Sequence, residues 1–266
     1  MKIGKHRLDH NAAIMGILNV TPDSFSDGGR YTLIEKALEQ VSRMLAEGAT
    51  IIDVGGESTR PGAEFVSAQE EIDRVVPVIK AIKENFDCLV SIDTYKTETA
   101  RAAVEAGADI LNDVWAGLYD GQMFNLAAEY NLPIILMHNQ KEEIYQDVTE
   151  DVCRFLLQRA QAAENAGIRK DYIWIDPGFG FSKTIEHNLS LLKGLDKVTS
   201  IGYPVLFGIS RKRVVDYLLG GNTAPKERDQ ATAALSGFAL EKGCQIVRVH
   251  NVAANRDIVR VIEQVR

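Results

Sequence analysis

Cys88-Leu-Val-Ser-Ile-Asp93 is an apolar run that ends on a carboxylate, and Asp109-Ile-Leu-Asn-Asp113 is a second that ends on an amide and a carboxylate. Between them, a segment from about Thr97 has helical character and stops at Gly107. Runs this short, apolar on both faces, read as strands buried inside a sheet. A helical crossover joins parallel strands, whereas an antiparallel pair needs only a tight turn. Residues 88–113 are therefore one strand–helix–strand unit, with polar residues where each strand runs out.

The unit repeats in both directions. Upstream, Ile14, Ile17 and Leu18 supply a strand that ends at Asn19, Ile34 to Glu47 reads as a helix closed by Gly48, and Thr50-Ile-Ile-Asp-Val54 is the next strand. Ser67 and Glu70 form a capping-box signature before Ile72, Val75, Val76, Ile79 and Ile82, an apolar stripe in which Pro77 predicts a kink or a split. Downstream, helices are predicted at Gln122 to Tyr130, Asp147 to Ala166, about Lys226 to Lys242 and about Ala253 to Val265. Strands are predicted at Pro133 to His138, Tyr172 to Asp176, Pro204 to Gly208 and Gln245 to His250. A glycine closes the helix before the next strand at positions 48, 107, 167 and 243. Roughly eight buried strands, each followed by a helix and with no Pro/Ser-rich linker, predict one domain over residues 1–266.

Polar residues at the strand tips choose between an open sheet and a closed one. Asn19, Asp53, Asp93, Asn112, Asp113, His138, Asp176, Ser210 and His250 each fall at the C-terminal end of an apolar run. An open doubly wound sheet needs such residues only near its switch point, whereas every strand of a closed barrel opens onto one mouth. The fold class is α/β, a single-domain (β/α)8 TIM barrel with its site at the C-terminal ends of the strands. The length of 266 residues suits that fold.

Composition narrows the function. The net charge of −7 argues against nucleic acid as a general partner, and an anionic substrate would need a local cationic pocket. Cys88, Cys153 and Cys244 are odd in number and lie in apolar surroundings, as expected of reduced thiols in a cytoplasmic protein. The basic N-terminus lacks the apolar region of a signal peptide, and no run approaches the ~18 residues of a membrane span.

Four loops carry candidate chemistry. Met15-Gly-Ile-Leu-Asn-Val-Thr-Pro-Asp-Ser-Phe-Ser-Asp-Gly-Gly29 turns from strand to a long Gly-rich loop, with Phe25 in its middle, that suits a mobile lid. Gly55-Gly-Glu-Ser-Thr-Arg-Pro-Gly62 joins flexible backbone, hydroxyls and a cation, as an anion-gripping loop would. Asp176-Pro-Gly-Phe-Gly-Phe181 is no nucleotide loop, because Lys183 stands where the third glycine should be; Asp176 is either a helix N-cap or a ligand anchor. Asp93, Asn112 and Asp176 together could read the donor-rich edge of an aminopyrimidinone. Ser210-Arg-Lys-Arg213 holds cations that are either a solvated helix start or an anion grip. Arg248 lies within a buried strand, where it needs an anionic partner, and His250 is either a ligand or a satisfied core histidine.

MGILNVTPDSFSDGG, GGESTRPGA, SIDT, LND, LMH, DPGFGF, SRK and RVH, in that order, resemble the dihydropteroate synthase family over nearly the whole chain. The resemblance implies condensation of 7,8-dihydropterin-6-ylmethyl diphosphate with 4-aminobenzoate in folate synthesis, and a sulfonamide target. It implies that Asp93, Asn112, Asp176 and Lys212 hold the pterin, with Met137 on its face. Asn19 would ligate Mg²⁺, while Arg60, Arg248 and His250 hold the diphosphate. Thr59 would lie where the substrates meet, and Phe25, Pro61, Phe181 and Ser210 would shape the aminobenzoate site. Asp93, Lys212 and Arg248 are the residues expected to carry catalysis, and a homodimer is implied. The segment from Asn139 to Tyr145 departs from the family's frequent Met-x-Gly-Thr-Pro continuation. A pterin-binding methyltransferase acting on a methylated folate would share the acidic tips, but would not need GGESTRPG or SRK with RVH. A catalytically silent paralogue would not be expected to keep Asn19, Lys212 and Arg248.

Overall fold

The computed structural model describes residues 2–3, 6–7, 12–21, 30–58 and 64–265. Eight strands form one parallel sheet: β1 (Ala13–Asn19), β2 (Ile51–Gly55), β3 (Leu89–Asp93), β4 (Ile110–Asp113), β5 (Ile134–Met137), β6 (Ile173–Asp176), β7 (Leu206–Phe207) and β8 (Ile246–Val249). β1 to β6 are neighbours in sequence order, and β8 lies between β7 and β1. A parallel bridge from Ile175 to Val205, with the Ile175 N–H donating to Pro204 O at 2.9 Å, joins β6 to the residues before β7. That contact closes the expected (β/α)8 barrel.

Around it run α1 (Arg30–Glu47), α2 (Ala68–Asn85), α3 (Thr97–Glu105), α4 (Met123–Glu129), α5 (Val148–Asn165), α6 (Ile185–Lys193), α7 (Leu195–Thr199), α8 (Arg213–Leu218), α9 (Asp229–Glu241) and α10 (Val252–Val265). The four helix-closing glycines adopt positive φ, from +95° to +111°, a conformation that costs a side-chain-bearing residue energy. Ser67 caps α2, its Oγ accepting from the Glu70 N–H at 3.2 Å. Of the two expected effects, a kink or a split, Pro77 does not produce the split: α2 runs unbroken from Ala68 to Asn85. Val75, Val78, Ile79 and Ile82 are buried on one side of it, and their packing outweighs the hydrogen bond that proline cannot give. The pair α6 and α7 was not foreseen, because Gly194 interrupts a run too short to show a helical period.

Each strand is buried on both faces. Ala13, Met15, Ile51, Leu89, Ile110, Ile135, Trp174, Leu206 and Ile246 fill the lumen, with Ile3 from a small antiparallel ribbon (Lys2–Ile3 with His6–Arg7) joining them. The alternate residues Ile14, Ile52, Val90, Leu111, Ile134, Ile173, Phe207 and Val247 pack outward in the layer shared with the helices. Burying one such Ile, Leu or Val contributes about 1.5–3 kcal/mol. Apolar residues on both faces therefore hold the barrel together, which leaves the strand tips free for chemistry.

Candidate active site

Side chains two apart on a strand share a face, so each lumen-filling residue predicts what lies above it. Ile51 leads to Asp53, Leu89 to Asp93, Ile110 to Asn112, Ile135 to Met137, Trp174 to Asp176 and Ile246 to Arg248. All six are apolar at the bottom of the barrel and functional at the top. Asp93, Asn112, Met137, Asp176 and Arg248, with Val114, Phe181, Gly208 and Lys212, line a pocket at the mouth. Asp113 and His138 have the opposite parity, which corrects their placement at a shared mouth. Asp113 accepts from the N–H groups of Trp115 at 2.8 Å and Gly117 at 2.6 Å. His138 Nδ1 meets Lys183 Nζ at 2.9 Å.

Arg248 ties the mouth together. Its Nε donates to Asp53 Oδ2 at 2.6 Å and one terminal nitrogen to Asp93 Oδ2 at 2.5 Å. Burial opposes the charge, but Asp53 and Asp93 hold the guanidinium above its usual range. The same Asp53 oxygen accepts from Asn112 Nδ2 at 3.2 Å. That bond fixes the amide, leaving the Asn112 carbonyl oxygen as the acceptor available to a ligand. Asp53 is fully buried and does not line the pocket. It is a residue that the assignment of site roles from sequence passed over: Asp53 reads as a polar strand tip, but that it faces the lumen follows only from the packing of Ile51. Asp93 Oδ1 has no hydrogen-bond partner among the described residues. Burial raises the Asp93 carboxyl, against the pull of Arg248.

Asp176 caps no helix, since α6 begins at Ile185 and is capped by Thr184. Asp176 Oδ1 accepts from the Gly178 N–H at 2.7 Å, shaping the following loop, and its carboxylate lines the pocket. Burial raises its pKa, opposed most by Lys212. Lys212 Nζ donates to Phe179 O at 2.5 Å and lies 4.5 Å from the centre of the Phe181 ring. Burial lowers its ammonium to about 8, with Asp176 opposing the shift. The neighbouring cations play no part in the pocket. Arg211, at φ +60°, makes a two-pronged bond to Asp229 at 2.6 and 2.8 Å, and Arg213 is exposed. Ser210 Oγ and His250 Nδ1 are 2.9 Å apart, and the His250 N–H donates to the same Ser210 oxygen at 3.2 Å. Phe25, Thr59, Arg60 and Pro61 lie outside the described residues.

The pterin binding enzyme family matches residues 15–250. A dihydropteroate synthase of Streptococcus pyogenes serotype M6 is 76% identical over 264 residues, which cover 99% of each chain. The chain belongs to the dihydropteroate synthase family. Two solved structures from that family superpose closely. A Yersinia pestis dihydropteroate synthase in a sulfonamide drug complex has a TM-score of 0.92 at 41% identity, covering 100% of this chain and 98% of that one. A Xanthomonas albilineans dihydropteroate synthase in complex with 7,8-dihydropteroate gives 0.89 at 42%, covering 98% and 95%. Membership of that family makes the chain a transferase.

The metal implied for a dihydropteroate synthase is Mg²⁺, and Asn19 suits it chemically. Among the described residues no group of three or more His, Cys, Asp or Glu could hold a metal. Mg²⁺ takes oxygen ligands, keeps several waters and binds largely through substrate phosphates, so an amide oxygen is a chemically suitable donor beside a diphosphate, although a carboxylate is the commoner one. Asn19 aligns with Gly55 on β2. A Cβ at position 55 would lie 3.8 Å from both Asn19 Oδ1 and Asp93 Oδ2, so glycine leaves room between those oxygens.

Proposed function

We propose that the barrel mouth condenses 7,8-dihydropterin-6-ylmethyl diphosphate with 4-aminobenzoate by a dissociative route, releasing diphosphate and 7,8-dihydropteroate. One observation carries the reading: one pocket at the barrel mouth brings acceptors from Asp93, Asn112 and Asp176 together with the cations Lys212 and Arg248. An aminopyrimidinone ring offers a row of donors to the first three. Lys212 meets an acceptor of the pterin, and Met137 packs on its face. Arg248, His250 and Arg60 hold the diphosphate, with Ser210 fixing the His250 ring. Phe25, Pro61, Phe181 and Ser210 are assigned to the aminobenzoate side, and Thr59 to the place where the substrates meet.

The bond between the pterin methylene carbon and the bridging oxygen breaks first, its electron pair leaving with diphosphate. Arg and His groups offset the growing charge there. Mg²⁺, held by Asn19, would supply further charge neutralisation to the diphosphate when bound. The cation left on the pterin is stabilised by the buried carboxylate of Asp93, while the loops after β1 and β2 exclude water. The amine lone pair of 4-aminobenzoate then forms the new C–N bond, and the resulting ammonium releases a proton to diphosphate or solvent. A route in which the leaving group departs first suits a weakly nucleophilic amine. Among the described residues lining the pocket there is no histidine to serve as its base.

A folate-to-corrinoid methyltransferase would have no use for Lys212 and Arg248 beside a diphosphate grip, and that rival is set aside. We also read the chain as a homodimer, because Tyr217, Leu218, Leu219, Phe238, Val261 and Val265 expose apolar surface on or beside α8, α9 and α10. A cytoplasmic location is supported by three free cysteines. Among the described residues, no helix is long and apolar enough to cross a membrane. The test of function is a coupled assay for diphosphate release. Release should require both the pterin diphosphate and 4-aminobenzoate, and release with neither dependence would overturn the assignment.

A further inference from the structure

Lys183 is a buried cation that the reaction, as described, does not use. Only 6% of its surface is exposed, and it stands outside the pocket lining. Its Nζ donates to Gly178 O at 3.0 Å and to Phe181 O at 3.1 Å, and meets His138 Nδ1 at 2.9 Å. An ammonium has three N–H donors, and three partners are present. Burial pushes His138 down to about 3, so its ring is neutral and can accept. All three partners are uncharged, and among the described residues no carboxylate is bonded to this lysine. A buried ammonium without a bonded counter-ion is costly. Burial lowers it to about 7, with Asp176 raising it in opposition and Lys212 lowering it further.

The loop from Pro177 to Ser182 wraps around this ammonium. Gly178, Gly180 and Ser182 take positive φ of +71°, +75° and +46°, which turns carbonyls 178 and 181 inward. Further ties hold the same loop. The Gly180 N–H donates to Asn188 Oδ1 at 2.8 Å, and Tyr145 Oη donates to Ser182 O at 2.8 Å. The outer side of the loop is the side that meets Lys212. Phe179 O accepts from Lys212 Nζ, the Phe181 ring lies under that ammonium, and a Cβ at position 180 would come within 2.9 Å of Lys212 Cδ. Both contacts that hold the Lys212 ammonium thus come from residues between or beside the carbonyls bonded to Lys183.

We infer that Lys183 is a positioning residue for the reaction: its three hydrogen bonds set the curvature of the β6–α6 loop, and so the position of the Phe181 wall and of Lys212. The inference rests on the reading of Phe181 as part of the aminobenzoate site. Without the ammonium, carbonyls 178 and 181 lose their common partner, the loop relaxes and the Phe181 ring leaves the wall. Lys183 touches no substrate and acts only through that loop.

The test compares Lys183→Met, Phe181→Ala and the double variant in the complete chain, each saturated with pterin diphosphate and Mg²⁺. Lys183→Met keeps the apolar stem and removes the donors. It should raise the KM for 4-aminobenzoate about tenfold or more, as the loss of a charge-assisted hydrogen bond would. In the Phe181→Ala background the same change should add little, because both act on one wall. Additive effects, or an unchanged KM in folded Lys183→Met, would overturn the role of Lys183. If Phe181→Ala alone left the KM unchanged, the aminobenzoate site reading itself would fail, which is a separate outcome. Should Lys183→Met not fold, Lys183→Gln retains donors for the two carbonyls but loses the third. The role then requires an intermediate rise in KM, and a wild-type KM in that variant contradicts it.

Discussion

Asp53 accepts from Arg248 Nε and Asn112 Nδ2 through a single oxygen, while its other oxygen has no partner among the described residues. Removing it takes one of two carboxylates from a guanidinium whose side chain is 19% exposed, so the cost stays below the ~3–5 kcal/mol of breaking a fully buried pair. Asp53→Ala should therefore lower the melting temperature and weaken pterin diphosphate binding, although it touches no ligand; calorimetry showing wild-type affinity in the folded variant would contradict its role. Lys212 carries a pH prediction. Its ammonium, ordinarily at 10.5, is lowered to about 8 in the free protein, and a bound anion favours the charged form. Binding should thus take up a proton around pH 8 and weaken as pH rises beyond it. Calorimetry in two buffers of different ionisation heat measures that uptake, which Lys212→Ala should abolish while losing about one to two decades of affinity. At this scale the sequence shows which residues are polar tips, but not which of them face the lumen. Strands buried on both faces have no polar side to set parity. Asp113 and His138 therefore look like Asp93 and Asp176 until the packing of Ile110 and Ile135 is known.

The β6–α6 loop shows how an element's shape depends on single neighbours. Gly178 and Gly180 have nearly the same φ, +71° and +75°. A Cβ at 178 would fall 2.1 Å from His138 O, which is backbone, whereas at 180 it would meet the flexible Lys212 stem at 2.9 Å. Gly178→Ala should destabilise the fold by more than the roughly 1–3 kcal/mol of a strained backbone alone. Gly180→Ala should destabilise less and disturb pterin binding instead. Equal losses in thermal melts would refute the distinction. In the sequence this loop was legible as a strand end carrying Asp176 and Phe181. What Lys183 does was not, because its partners are backbone carbonyls and a histidine 45 residues away. The helix-closing glycines were legible since their chemistry is local. That α2 runs on through Pro77 was not legible, because packing from other elements, invisible locally, decides whether a proline breaks a helix.

For the whole molecule, the barrel was readable because the strand–helix period and the polar tips recur around it, and closure needs nothing more than that repetition. The composition of the site was readable through ordered motifs. Its wiring through Asp53 was not, since Asp53 and Arg248 are 195 positions apart. If the chain uses the aminobenzoate site proposed here, sulfonamides should inhibit it, and inhibition should weaken as 4-aminobenzoate rises; inhibition insensitive to 4-aminobenzoate would contradict the placement of that site. The dissociative route makes a stronger claim, that the pterin cation forms before the amine attacks. Pterin diphosphate carrying ¹⁸O in its bridging position tests it directly, incubated with the chain, Mg²⁺ and benzoate, which lacks the attacking amine. Reversible ionisation predicts that the label scrambles into non-bridging positions, at about the rate of turnover or faster, and more slowly in Asp93→Asn. Label that stays in the bridge over many turnover times contradicts the account.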